Sequence, residues 1–219
     1  MADYVPIYRF MRFEHLLDLL KNHRLPLINP SQWEDKNDDF AIKLSCGENE
    51  SIGVCCFTTS GANGMYRWSK MASNNLCVRV EFDRERIENC LPENMELFDV
   101  RYVSANDFDR DCLKSLKECA YTKSTPYKQE KEARLVMRCP KKANSKTIMG
   151  YLQNIPIDSI KGICLSPFLV KKEYLLVKEF LENYLDKSNF QIEFTHAIIF
   201  DMPKWKDALN NAVDRLKNK

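Results

Sequence analysis

The run Leu76-Cys77-Val78-Arg79-Val80-Glu81-Phe82 constrains the fold most, because it alternates apolar and charged residues with a period of two. In an extended chain successive side chains point to opposite faces, so Val78, Val80 and Phe82 share one face while Arg79 and Glu81 share the other. Such a segment is a strand and not a helix. Around it, strand-like and helix-like segments alternate. Residues 4–10 read as a first strand, and Phe13, Leu16, Leu17 and Leu20 recur just after it at helical spacing. Residues 25–28 and 52–57 are short apolar runs, the second leaving through Thr58-Thr59-Ser60-Gly61; residues 65–72 read as a short helix.

The second half continues the pattern. Residues 97–103 read as a strand, and 107–121 as a helix carrying Leu113, Leu116 and Ala120, with Asp107 and Asp109 near the dipole-positive end. Strands follow at the Glu130/Glu132 segment and at 160–165. Tyr174, Val177, Phe180, Leu181, Tyr184 and Leu185 then form one helical stripe. A strand over 190–200 and a helix carrying Trp205, Leu209, Ala212, Val213 and Leu216 close the chain. The expected class is α+β, with a central, largely antiparallel sheet and flanking helices. A length of 219 residues suits one domain. Its core is expected over about 4–165, with a helix-strand-helix over 166–219 packed on it.

Apolar residues make up 44% and charged residues 29%, proportions of an ordinary globular chain. No apolar stretch is long enough to span a bilayer, and Met1-Ala2-Asp3-Tyr4 does not open a signal peptide, so no membrane partner is expected. The cysteines at 46, 55, 56, 77, 90, 112, 119, 139 and 164 are odd in number, include no CxxC pair and lie mostly in apolar runs. His15, His23 and His196 are too dispersed for a metal site. Reduced, buried thiols in a cytoplasmic protein without a bound metal are the expectation.

The chemistry-bearing segment is Tyr127-Lys128-Gln129-Glu130-Lys131-Glu132-Ala133-Arg134-Leu135. If it is extended throughout, Glu130, Glu132 and Arg134 project from one face while Leu135, Val136 and Met137 anchor the strand. Two carboxylates so close repel, and their surroundings can separate their pKa values into different roles. A solvated strand end is the plainer reading. The net charge of +2 conceals an uneven distribution: between Lys123 and Lys146, basic residues exceed acidic ones by about six. Lys128, Lys131, Arg134, Lys141 and Lys142 of this stretch are candidate phosphate or nucleic-acid contacts.

Tyr8-Arg9-Phe10, Trp33-x-Asp35, Cys56-Phe57-Thr58, Trp68-Ser69, Arg101-Tyr102, Lys123-Ser124 and Glu130-x-Glu132-x-Arg134-Leu135 occur in this order. Over roughly 5–165 the set resembles a family of bacterial domains of unknown function, some encoded in mobile or defence-associated neighbourhoods. The family pattern has a first-strand Tyr-x-Tyr or Tyr-Arg, an Asn-Asp-Pro-Phe loop, Cys-Phe-Ser, Trp-x-x-Tyr and Glu-x-Glu-Trp-Arg. This chain departs from it at Lys36, where Pro is usual, at Met71, where Tyr is usual, and at Ala133, where Trp is usual.

More distantly, an Arg on a first strand, a Ser/Thr run on a second and a Glu-x-Glu at a later strand start resemble the arginine-serine-glutamate ADP-ribosyltransferases. That resemblance implies an ADP-ribosyltransferase-like split sheet and NAD as substrate. Arg9 would hold an NAD phosphate, and Thr58, Thr59 and Ser60 would support the nicotinamide side. Tyr8, Tyr66 and Trp68 would flank the dinucleotide. Glu132 would stabilise the oxocarbenium-like state and Glu130 would serve the acceptor. It further implies a toxin or phage-defence effector with an antitoxin-like inhibitory partner, and the local basic excess favours nucleic acid over protein as the acceptor. Two alternatives stay open: a nuclease gathering magnesium with Asp35, Asp38, Glu130 and Glu132, and a non-catalytic module binding nucleic acid or a partner.

Overall fold

A computed structural model describes residues 4–61, 64–71, 76–108, 113–141, 147–186, 192–200 and 202–217. In chain order they form β1 (Pro6–Arg12), α1 (Phe13–Asn22), β2 (Leu25–Ile28), α2 (Lys36–Leu44), β3 (Glu50–Thr58), α3 (Met65–Met71), β4 (Cys77–Asp83) and α4 (Arg84–Glu88). Then come β5 (Met95–Asp99), β6 (Arg101–Val103), β7 (Thr122–Ser124), β8 (Glu132–Pro140), β9 (Ile148–Leu152), β10 (Ile160–Leu165), α5 (Lys171–Asp186), β11 (Glu193–His196) and α6 (Pro203–Lys217). The fold is mixed α and β with a mostly antiparallel sheet, as the alternation of patterns predicts.

β3 organises the sheet. One edge pairs with β8 along its whole length, from Glu50↔Pro140 to Thr58↔Glu132. The other edge is shared: β1 touches it only at Tyr8↔Thr58 and β2 only at Ile28↔Val54. The sheet therefore divides beside β3. One wing runs β11-β10-β4-β1, and the other holds β5, β8, β3, β2 and β9. The alternating run from Cys77 to Phe82 is β4, in register with β1 from Pro6↔Asp83 to Arg12↔Cys77.

Because side chains alternate, β3 and β8 are buried on both faces. Cys55, Phe57, Ala133, Leu135 and Met137 join Leu16, Val80 and Phe82 in the main core. On the opposite face Ile52, Val54 and Val136 pack with Ile42 of α2 and with Ala120 and Tyr121. Glu132 and Arg134 share parity with Val136, so they are carried to this second face.

Several expectations fail locally. The acidic segment from Trp33 to Phe40, whose Asp and Glu residues between aromatic anchors read in the sequence as a loop, is helical from Lys36, because the Asp35 side chain caps α2 by accepting the N–H groups of Asn37 and Asp38. The helix expected over 107–121 becomes a short 3-10 turn at Leu116–Tyr121, and Asp109 and Cys112 lie outside the described residues. The single strand expected over 97–103 is two strands: β5 runs antiparallel to β8, and β6 runs parallel to β7 in a separate pair.

The C-terminal segment does not lie on the core as one packed unit. β11 extends the sheet beside β10, and α5 buries Leu181 and Leu185 in the main core. In α6, by contrast, every described side chain is exposed, and those of Leu216 and Lys217 lie outside the description. No helix of the described residues is long and apolar enough to cross a membrane.

Candidate functional site

The site begins where the chain enters β8. A 3-10 turn spanning Thr125–Glu130 ends at Lys131, which adopts the left-handed conformation at φ 43°, ψ 53°. Glu130 is therefore not on the strand, and the expectation that both glutamates project from one extended face is wrong. The kink still brings them together. Lys123 Nζ lies 2.7 Å from Glu130 Oε2, 3.2 Å from Glu132 Oε2 and 3.4 Å from Asp38 Oδ2.

The hydroxyl run at the end of β3 fixes this kink. Thr58 Oγ1 donates to the Glu130 carbonyl at 2.9 Å, and the Thr59 N–H donates to the Lys131 carbonyl at 2.8 Å. Arg67 of α3 also donates to the Glu130 carbonyl. From β6, the Tyr102 hydroxyl accepts the Glu132 N–H at 2.8 Å. Because β6 pairs with β7 at Tyr102↔Lys123, the small parallel pair delivers both Tyr102 and Lys123 to the start of β8.

Arg134 completes the cluster. Its guanidinium grips Asp38 bidentately at 2.7 and 2.6 Å, holds Glu132 through Nε at 2.8 Å and Nη2 at 3.1 Å, and donates to the Ala120 carbonyl at 3.0 Å. It is 0% exposed, so it cannot act as the surface contact for nucleic acid predicted from the sequence. A planar fork with five donors suits this buried two-carboxylate arrangement better than an ammonium would. Burial pushes the Glu132 carboxyl up, but Arg134 and then Lys123 outweigh it and hold it at about 2. Burial works against the charges of Lys123 and Arg134, yet the carboxylates hold both more firmly protonated than usual. Burial, reinforced by Glu132, pushes the neighbouring Cys56 thiol well above its ordinary range.

A cavity of about 410 Å³ opens against this cluster, a size suited to a small-molecule ligand. Of the residues singled out in the sequence for NAD, Tyr8, Arg9, Thr58, Tyr66, Glu130 and Glu132 line it, as do Asp35 and Asp38 of the nuclease alternative. Trp68 does not: it is fully buried in a satellite core, edge-on to Phe10 at 5.0 Å, because the inner face of α3 packs there. Thr59 and Ser60 are also outside the lining, where the run serves the loop backbone.

The basic stretch dissolves in three dimensions. Lys123 and Arg134 are internal ion-pair partners, while Lys128, Lys131 and Lys141 are exposed. Lys131 and Lys141 flank the two ends of nine-residue β8, so they stand roughly 30 Å apart along the strand. Lys142 and Lys146 lie outside the described residues.

Sequence reading missed the pairing of Asp38 with Arg134 and the roles of Lys123, Tyr102, Arg67 and Lys70. An Asp cap three residues before Asp38, and an arginine inside an otherwise apolar strand, were the available signals. Asp38 and Glu132 are already balanced by Arg134 and Lys123, so a divalent ion in the nuclease arrangement would have to displace built-in cations. Among the described residues no group of three or more His, Cys, Asp or Glu side chains is arranged to hold a metal. Comparison with known protein families, curated proteins and solved structures finds no match for this chain.

Proposed function

We propose that the cavity binds NAD and that the protein transfers ADP-ribose to an acceptor nucleophile. The observation that carries this reading is the row Tyr8↔Thr58↔Glu132, in register across the neighbouring strands β1, β3 and β8, with all three residues lining one cavity beside Arg9. Residues separated by some fifty and seventy positions thus meet at one cavity, with Arg9 next to Tyr8, which supports the reading.

In the reaction the bond between nicotinamide nitrogen and ribose C1′ breaks, and nicotinamide leaves with the bonding electron pair. The ribose then carries oxocarbenium character, which a fixed carboxylate in a water-poor cavity stabilises. Glu132, charged down to a pH of about 2, supplies that carboxylate. The acceptor forms the new bond at C1′, and Glu130, half-buried at the cavity wall, accepts its proton. A carboxylate offers about four acceptor positions. Arg134 takes two on Glu132, Lys123 a third and the Cys56 thiol the fourth. A ribose hydroxyl therefore needs one partner to yield. Lys123 is that partner, since it keeps Glu130 and Asp38 when it releases Glu132.

The acceptor is left to experiment, because the contiguous basic stretch that favoured nucleic acid is dispersed. The effector role and an inhibitory partner rest on the family resemblance. The test is NAD consumption and transfer of labelled ADP-ribose to mixed RNA, DNA and protein acceptors. Glu132→Gln is expected to lower transfer at least about a hundredfold. Glu130→Gln, at a less buried position, is expected to lose transfer with a smaller fall in melting temperature than Arg134→Met. Undiminished transfer by folded Glu132→Gln, or no NAD turnover with any acceptor, would sink the reading.

A further inference from the structure

The cavity has two electrically different walls. On the β8 side every carboxylate of the cluster is matched by Lys123 or Arg134. On the β1–α3 side, Arg9, Arg67 and Lys70 line the same space, and among the described residues none of them forms an ion pair with a carboxylate. Arg9 donates through Nη1 to the Cys56 carbonyl at 2.7 Å, and Arg67 donates through Nη2 to backbone carbonyls of the Glu130 loop. Each guanidinium thus spends one nitrogen on positioning, with further N–H groups remaining. Lys70 is exposed and rests near the Tyr66 ring, 6.0 Å from its centroid.

We infer that this wall is a diphosphate subsite, with Arg67 and Lys70 of α3 joining Arg9 on the bridged phosphates of a nucleotide. The inference rests on reading the cavity as a dinucleotide site and adds α3 to it. Arg67 and Lys70 lie three residues apart on one helix, so their side chains fall on the same face. Arg67 is held over the Phe10 ring, 5.7 Å from its centroid, which restricts it before any ligand arrives. Burial lowers the Arg67 pKa, although Glu130 opposes this, so part of the cation's hydration is already lost. A ligand diphosphate would supply the anionic partner that this wall lacks, and the carboxylates opposite would face its nicotinamide-ribose end, where positive charge lies.

The experiment is calorimetric titration of the full chain with inorganic pyrophosphate, ADP and NAD, at low and high salt. The unaltered protein is expected to bind all three, more weakly as salt rises. Arg67→Gln/Lys70→Gln and the surface variant Lys70→Glu are each expected to weaken binding by at least about tenfold. Lys70→Glu should leave the melting temperature unchanged, which separates a binding loss from a folding loss. Failure of pyrophosphate and ADP to bind, or equal affinity in Lys70→Glu, overturns the subsite. If ADP binding depends on Lys70 while NAD is never consumed, the subsite stands and the transferase reading fails. NAD turnover with an affinity indifferent to Lys70 supports the transferase reading and overturns the subsite.

Discussion

The two walls of the cavity use the same residue types for opposite ends. On the β8 wall, Arg134 and Lys123 are sunk among Asp38, Glu130 and Glu132, and their donors are committed to carboxylates. On the α3 wall, Arg67 and Lys70 meet carbonyls and rings, and among the described residues neither forms an ion pair. A buried charge survives where its partners are built in, and removing one partner leaves the rest uncompensated. A half-exposed charge needs no such partner and can be lost with little structural cost. The difference teaches where stability and binding are stored: the first wall is structural even if it is also catalytic, and at exposed Lys70 the second contributes little to folding.

The largest expected break in this comparison is Arg134→Met. It leaves Asp38 and Glu132 with Lys123 as the remaining nearby cation, a loss of about 3–5 kcal/mol for a broken buried pair. For a chain of this size the melting temperature should fall by roughly 10 °C. Thermal melts beside Lys70→Glu read the contrast directly. Equal melting temperatures in the two variants would erase the distinction between the walls.

Acid provides a second, smaller test. The folded-state pKa of Glu132 lies at about 2, below its unfolded value near 4.5. The unfolded chain therefore binds more protons as pH falls. The associated stability is fully present above about pH 4.5 and is lost progressively towards pH 2, amounting to about 3 kcal/mol. Urea unfolding across that window should show a steeper loss in the unaltered protein than in Glu132→Gln. Parallel slopes would mean that Glu132 is not held by its two cations.

These contrasts explain what was legible in the sequence. Wherever a face alternates strictly, as in Val78, Val80 and Phe82, strand identity and orientation could be read, since burial on one side fixes the period. The transferase resemblance assigns Tyr8, Arg9, Thr58 and Glu132 to one site, and these four residues line one cavity. Arg134 was misread because linear charge counting treats a basic residue among lysines as surface. Its neighbours Ala133, Leu135, Val136 and Met137 are all buried, and a cation inside such a run demands an acidic partner from elsewhere in the chain. That partner, Asp38, was hidden by reading Trp33 to Phe40 as a loop, where one capping aspartate starts a helix. Segment 107–121 failed for a different reason: helical spacing of three apolar residues does not distinguish a long helix from short turns joined by irregular chain.

The smallest expected effect lies at the kink that leads into β8. Lys131 sits at φ 43°, where a side chain with a Cβ costs roughly 1 kcal/mol relative to glycine. The conformation persists because Thr59 binds the Lys131 carbonyl and the Lys131 N–H binds the Lys128 carbonyl. Lys131→Gly removes the steric cost but gives the unfolded chain more freedom, so the net change should be a stabilisation of at most about 1 kcal/mol. Lys131→Val cannot share that benefit, because a β-branched side chain resists the left-handed region, and it should destabilise by more than glycine stabilises. The kink is what returns Glu130 to Lys123 after the 3-10 turn. Lys131→Val should therefore weaken any Glu130-dependent activity, while Lys131→Gly preserves it. Melting curves for the pair measure the backbone cost, and equal stability of the glycine and valine variants would show that the turn is not held left-handed.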